Sequence, residues 1–416
     1  MSLLAIAAKR LFTPLEVIQE GLVVIEDQVI RDVGSRQELA VPKDARFVDL
    51  GDRILSPGFV EIHIHGGGGH DVMEATPEAL EAVARVALRH GTTSFLPTTL
   101  TAPVPALLKS LEGIGSVMRF WQNGKSSGAE PLAEPLGIHL EGPFLSTERR
   151  GVHPCEYLQK PSLTLFHRLI EAAAGTVRVL TLAPELEGAM ELQAQAIRSG
   201  VRVALGHSDA TFVQAQRAVD GGATHAVHTF NAMRPFAHRE TGIVGTVLTD
   251  DRIQAEVIAD GVHVSAPALR LLLRAKGVSR VILVTDGVSA TGMGPGRYHL
   301  GEMEIYVDQE AQIMDIPPAS LRVDKLGNRS ILVCRNSEGK LAGSVLTLDQ
   351  AIRNIVAITG VTLCEAVRMA SWNPAMLLGL ESCKGSLRPG ADADLVALEP
   401  DGTVAGAMAQ GVGNFL

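Results

Sequence analysis

Six side chains suited to holding a metal ion or moving a proton stand where short apolar runs end. His63 and His65 close Phe59-Val60-Glu61-Ile62, Glu141 closes Ile138-His139-Leu140, and Asp286 closes Val281-Ile282-Leu283-Val284-Thr285. His207 follows Val203-Ala204-Leu205-Gly206, and His228 follows Ala226-Val227. Two histidines two apart on a strand point to the same face, so both imidazoles of the His63-Ile64-His65 pair can reach one ion. The glycines at 66–69 then let the backbone turn without side-chain bulk. Glu141 precedes Gly142-Pro143, where proline ends any strand, and a carboxylate there can ligate or bridge metals. Neutral imidazoles at successive strand ends beside a carboxylate suit Zn²⁺ or a similar transition metal with a position left open for water. Asp286, not consumed by the metal, can take a proton from an activated water and hand it to a leaving group. Taken singly, each residue also reads as a core histidine, a salt-bridged rim carboxylate or a helix cap. Their recurrence at strand ends is what argues for metal-assisted hydrolysis.

Polar ligands at the carboxyl ends of separate apolar strands are how a (β/α)₈ barrel builds a site. Strand-like runs end near His65, Pro97, Glu141, Ala183, His207, His228, Asp260 and Asp286, and helix-like segments at 77–90, 163–174, 186–199 and 266–276 lie between them. Thr76 followed by Pro77 is a cap with proline at the first helical position. The alternation predicts parallel strands joined by right-handed crossovers. An open doubly wound sheet also alternates, but it gathers its ligand at one crevice; ligands from many strand ends favour closure. The predicted fold is α/β: a TIM-type barrel over 55–384, with a small β-sandwich domain formed from the terminal segments 1–54 and 385–416. The terminal strands include Gly21-Leu22-Val23-Val24-Ile25 and Val29-Ile30-Arg31-Asp32-Val33 about a turn at Glu26-Asp27-Gln28, and Ala393-Asp394-Leu395-Val396-Ala397-Leu398. Two unrelated terminal hairpins are the alternative. A polar, turn-rich stretch near 298–343 reads as an insertion after the eighth strand, extending toward the β domain.

With 416 residues, 46% hydrophobic and 20% charged, the chain can bury a large core. The net charge of −9 and the lack of a Lys/Arg run argue against nucleic acid as the partner, though not against one small anion held by a local Arg. Cys155, Cys334, Cys364 and Cys383 show no CxxC spacing and read as reduced thiols. No run approaches the ~18 apolar residues of a membrane span. The expectation is a cytoplasmic protein without a membrane partner.

Together the motifs resemble the amidohydrolase superfamily and, within it, the N-acetylglucosamine-6-phosphate deacetylase family. The resemblance is carried by Pro57-Gly58-Phe59-Val60-Glu61-Ile62-His63-Ile64-His65-Gly66, His139-Leu140-Glu141-Gly142-Pro143-Phe144-Leu145, Gly206-His207-Ser208-Asp209-Ala210-Thr211 and His228-Thr229-Phe230-Asn231-Ala232-Met233. Ile258-Ala259-Asp260-Gly261-Val262-His263-Val264, Val284-Thr285-Asp286-Gly287 and Leu341-Ala342-Gly343-Ser344 complete it, in family order. The resemblance implies that Glu141, His207 and His228 hold the principal divalent metal, zinc first, with Fe, Co or Mn as alternatives. It implies that Asp286 is general base and acid, and that His153 polarises the acetyl carbonyl. Asn231, Ala232, Arg239 and His263 would contact the sugar or its phosphate, and Leu341, Ala342 and Gly343 would line the sugar pocket. Without the resemblance, Arg239 is read as a solvated loop charge. Family members that keep both first-strand histidines can bind two metals, so His63 and His65 leave one or two ions open. The superfamily's carboxylated lysine is absent where Glu141 stands, which fits the deacetylase branch. The implied substrate is a phosphorylated N-acetyl amino sugar and the implied assembly a homodimer. The rivals are the galactosamine epimer as substrate, a different amidohydrolase, or a non-catalytic scaffold.

Overall fold

Eight short strands, rich in Val, Ile, Leu and Ala, run parallel and are buried almost throughout, as expected of strands covered on both faces. They are β1 (Phe59–Ile64), β2 (Thr92–Thr99), β3 (Ile138–Glu141), β4 (Val177–Leu182), β5 (Arg202–Leu205), β6 (His225–Ala226), β7 (Gln254–Ile258) and β8 (Val281–Val284). Each pairs in parallel with the next, and a parallel bridge between Ile64 and Gly287 closes the ring. This is a computed structural model, and it describes every residue except 1–2, 14, 123–129, 312–321, 324–328 and 416. The predicted barrel is thus the observed one. Several of its strands stop a residue or two before the polar side chains that the sequence pattern placed at their ends.

Helices fill the crossovers. Pro77–Arg89 starts at Thr76, whose hydroxyl accepts from the Ala79 N–H, with proline at the first turn. Phe212–Asp220 starts at a capping box between Thr211 and Gln214. Inside the ring the packing is partly polar. His139 Nδ1–H donates to the Ile62 carbonyl (3.0 Å), and its Nε2 accepts from the Thr181 hydroxyl (2.8 Å). Burial, then the neighbouring His63, pushes the His139 imidazole down to about 3, so it stays neutral.

Strands from both ends of the chain share one sheet. Ile54–Pro57 lies between Leu3–Phe12 and Leu395–Leu398, and the tail strands Val404–Ala409 and Val412–Asn414 continue outward. The expected hairpin about residues 26–28 pairs Val17–Glu26 with Val29–Ser35. Lys384 joins this sheet to the barrel. Its ammonium, almost fully buried, lies 2.6 Å from Glu134, 2.9 Å from Asp392 and 2.8 Å from Asp394. Burial disfavours the charge, but the three carboxylates outweigh it and hold the lysine well above its ordinary value. Lys384→Met should therefore lower stability in urea by about 3 kcal/mol or more, since it strands the buried Asp394 carboxylate. A loss under about 1 kcal/mol would show that the site closes over without its cation.

The stretch after β8 forms a sheet of its own. Gly296–Leu300, Met303–Ala311, Arg322–Val323 and Arg329–Asn336 pair antiparallel, and among the described residues none pairs with the terminal sheet. Among the described residues its expected approach to the β domain is not seen. Instead it folds back over the barrel mouth, where the Gly301 N–H donates to Asp71 (2.9 Å). Residues 312–321 and 324–328 of the predicted insertion lie outside the described residues.

Candidate active site

Glu141 stands at the end of β3 with its carboxylate buried and ringed by imidazoles. One oxygen lies 3.3 Å from His63 Nε2, 3.2 Å from His207 Nε2 and 3.1 Å from His228 Nε2. The other lies 3.2 Å from His65 Nε2 and 3.4 Å from His153 Nε2. Asp286 adds its carboxylate 3.3 Å from His65 Nε2 and 3.8 Å from His63 Nε2. Gly142 makes the exit from β3: at φ +86°, a Cβ there would sit 2.2 Å from the Thr101 hydroxyl. His207, His228, Ala232 and Asp286 all have positive φ, a conformation uncommon for non-glycine residues and frequent at functional sites. Past the strand ends, His207, His228 and Asp286 reach the centre from this conformation.

What each ring does at Nδ1 fixes what it offers at Nε2. His65 Nδ1–H donates to the Thr98 carbonyl (3.1 Å) and His207 Nδ1–H to the Arg149 carbonyl (3.1 Å). His63 Nδ1–H donates to the Glu256 carboxylate (3.0 Å). In its neutral form each of the three therefore presents an Nε2 lone pair to the centre. His153 is the opposite tautomer. Its Nδ1 accepts from the Thr101 hydroxyl (2.8 Å) and faces the Thr101 N–H (3.4 Å), so its Nε2 carries the hydrogen. The centre thus combines rings that offer lone pairs with one ring that offers a donor.

The donor set fits a divalent cation. His63, Glu141 and His228 form one group of mutually close ligand atoms, His63, His65 and Asp286 a second, and Glu141, His153 and His207 a third. His207 and His228 bring their Nε2 atoms within 3.0 Å of each other, and among the described residues the buried His63 Nε2 has no hydrogen-bond partner. Lone pairs converging this closely call for positive charge between them. Burial opposes a charged His65, but hydrogen bonds to Asp286 and Glu141 together with their negative charge push it up to about 9. Burial likewise opposes ionisation of Asp286, but the His65 contact and the neighbouring imidazoles hold it at about 2, so it is a carboxylate at neutral pH. His207, by contrast, is pushed down to about 4, first by burial.

These shifts give a pH dependence with a definite sign. His65 is protonated below about 9, and a cation must displace that proton. Cation affinity should therefore rise with pH up to about 9, by about tenfold per pH unit for each proton displaced. Calorimetric titration of cation-free protein in buffers of different ionisation enthalpy reads the protons released. Binding without proton release, at an affinity flat from pH 6 to 9, would contradict the assignment.

A cavity of about 150 Å³ opens onto this centre. Its walls include His65, Glu141, His153, His207, His228, Asn231, Ala232, His263, Asp286, Leu341 and Gly343. The Asn231 amide donates to the His228 carbonyl (3.2 Å), and His263 Nδ1–H donates to Asp260 (2.7 Å). Two of the substrate-pocket residues singled out in the sequence are not on the cavity wall. Ala342 is fully buried in a cluster with Leu100, Val288 and Leu300, and Arg239 is exposed on a loop outside the cavity wall. Sequence reasoning missed Thr101, which sets the His153 tautomer, together with Asp260 and Glu256. Glu256 left a signal as a charge inside the apolar strand β7, and Asp260 as the polar end of the same run.

A buried histidine–carboxylate centre able to hold a cation, at the carboxyl end of a (β/α)₈ barrel, is the arrangement of a metal-dependent hydrolase, and this chain belongs to the amidohydrolase family, whose model matches residues 54–412. At finer grain it is 38% identical over 347 residues to an N-acetylglucosamine-6-phosphate deacetylase of Lysinibacillus sphaericus, spanning 83% of this chain and 82% of that one. It is 37% identical over 392 residues to an N-acetylgalactosamine-6-phosphate deacetylase of Escherichia coli O157:H7, spanning 94% of both. Among solved structures it is similar to a mutant N-acetyl-D-glucosamine-6-phosphate deacetylase of Mycobacterium smegmatis in complex with N-acetyl-D-glucosamine-6-phosphate. That likeness has a TM-score of 0.84 and 35% identity over 99% of each chain.

Proposed function

We propose that the protein hydrolyses the acetamide of N-acetyl-D-glucosamine 6-phosphate, giving D-glucosamine 6-phosphate and acetate. The observation that carries this reading is the division of labour among the rings: His153 offers a hydrogen where its neighbours offer lone pairs, with an ionised Asp286 beside them. Amide hydrolysis needs a base for water, a donor for the carbonyl oxygen and an acid for the amine, and these residues supply all three roles. Glu141, His207 and His228 would hold a divalent cation, zinc by donor type with iron, cobalt or manganese as alternatives, and His63 and His65 would serve a second. Such a cation supplies Lewis-acid chemistry and makes a water nucleophilic near neutral pH.

The Asp286 carboxylate takes the proton from the attacking water as the C–O bond forms. The His153 Nε2–H donates to the carbonyl oxygen as negative charge develops there. Protonated Asp286 then donates to the sugar nitrogen, the C–N bond breaks, and acetate and the free amine leave. Asn231, Ala232 and His263 on the cavity wall are assigned to the sugar and phosphate. Arg239 is assigned to the phosphate, and its exposed loop suits a homodimer in which it faces the neighbouring subunit. Among the described residues no helix is long and apolar enough to cross a membrane, and a cytoplasmic location suits a phosphorylated sugar substrate.

The second reading is the galactosamine epimer, favoured by the Escherichia coli relative. One experiment addresses both. Acetate release is measured from both 6-phosphates and from unphosphorylated N-acetylglucosamine, with and without a chelator. Chelator-sensitive turnover that requires the phosphate and prefers the glucosamine epimer supports the proposal. Preference for the other epimer selects the second reading, and no acetate under cation-replete conditions rejects both.

A further inference from the structure

Beneath the cation-binding rings, in the middle of the barrel, β7 carries one carboxylate that the proposed chemistry does not use. Glu256 is fully buried. One oxygen accepts from His63 Nδ1–H at 3.0 Å. The other lies 3.2 Å from His225 Nε2 without a hydrogen bond between them. His225, itself fully buried, is tied on its far side to the Thr224 hydroxyl (2.9 Å). Glu256 is thus fixed between two immobilised rings, one of which projects into the site.

A buried carboxylate is costly unless something nearby needs its charge. The group that gains from that charge is His63. Its ring has two nitrogens and only one can carry the hydrogen in the neutral form. With Nδ1–H committed to Glu256, Nε2 must present a lone pair toward Glu141 and Asp286, where it has no hydrogen-bond partner. His65 is held in the same tautomer only by the Thr98 carbonyl, a neutral acceptor. A carboxylate raises the basicity of the ring it accepts from more than a carbonyl does.

We propose that Glu256 is a positioning residue: by orienting and polarising His63 it sets the affinity of the His63–His65 side of the centre for a divalent cation, and so whether a second ion is held. This rests on the reading of His63 as a cation ligand.

The test uses two substitutions and a control. Glu256→Gln keeps an acceptor that can reach His63 Nδ1 but removes the charge; Glu256→Met keeps the shape and removes both. Cation-free protein is titrated with Zn²⁺ by calorimetry, elemental analysis counts the ions retained, and imidazole ¹⁵N shifts report the His63 tautomer without turnover. The second, weaker binding step should lose roughly 10- to 100-fold in affinity in Glu256→Met and a smaller factor in Glu256→Gln, with the first step unchanged. The His63 Nδ1–H tautomer should persist in the Gln variant and be lost in the Met variant. A merely structural Glu256 would lower the melting temperature of cation-free protein and leave the two steps equally affected. His63→Ala is the control. If it leaves Zn²⁺ binding unchanged, the ligand reading itself fails and the proposal falls with it. If it abolishes the second step while Glu256→Gln binds as the unsubstituted protein does, only the proposal is overturned. Should Glu256→Met not fold, the Gln variant alone decides.

Discussion

Asp286→Asn protein should fold, keep the cation at Glu141, His207 and His228, and lose at least ~10²-fold in kcat with little change in KM. The asparagine fills the same space, and the backbone contacts that hold the residue do not involve its side chain. Its N–H donates to the His63 carbonyl (3.0 Å), and its carbonyl accepts from Ser344 (2.8 Å). What is lost is a carboxylate held ionised, at about 2, beside His65. An amide can neither take a proton from water nor return one to the amine, so the loss belongs to the chemical step and appears in kcat. His65 should also change. Part of its upward shift comes from Asp286, so its protonated form should give way at lower pH in the variant. Turnover within a factor of about three of the unsubstituted protein would remove Asp286 from the reaction, because general acid–base work is typically worth 10²- to 10⁴-fold.

Much of this architecture was legible because it rests on periodicity. Strand β3 brings Glu141 to its end, and β1 gives His63 and His65 a common face; both follow from alternation along a strand and from the glycine and proline that stop it. The barrel followed from the repeat of such ends. What could not be read depends on backbone that has left the strand. His207, His228 and Asp286 reach inward through positive φ values, and no residue type among them announces that conformation. The tautomers were hidden for a related reason: His65 and His207 are set by the carbonyls of Thr98 and Arg149, and every residue has a carbonyl. Arg239 was reached only through the motif. Its position in the chain is fixed, but the loop that carries it stands away from the cavity wall. Glu256 is the reverse case, a charge between Ala255 and Val257 in a buried strand, visible in the sequence but without meaning until its distance to His63 was known.

Glu141→Gln should be the more damaging change, because it alters the one group that all the rings share. Five imidazole Nε2 atoms lie between 3.1 and 3.4 Å from the Glu141 oxygens. The carboxylate accepts from a ring that carries a hydrogen there and shares a cation with a ring that offers a lone pair. Glutamine keeps the shape and replaces one oxygen with an NH₂ group. That group cannot bind a metal, and its hydrogens point at rings whose lone pairs converge. Removing an outer partner of a ligand already costs roughly 10- to 100-fold in metal affinity, so losing a ligating charge should exceed about 10²-fold, and turnover should fall with it. The fold should survive because glutamine keeps the shape, although it forfeits part of the imidazole contacts that outweigh burial and hold Glu141 well below the ordinary carboxylate range. Elemental analysis beside the melting temperature of cation-free protein separates the outcomes. Protein that melts normally but holds no cation, and regains little turnover in excess Zn²⁺, places Glu141 at the metal. Retention of a full equivalent of cation would shift the principal site to the His63, His65 and Asp286 group. In that case Asp286 would become a ligand, and the Asp286→Asn variant would lose its cation along with its turnover.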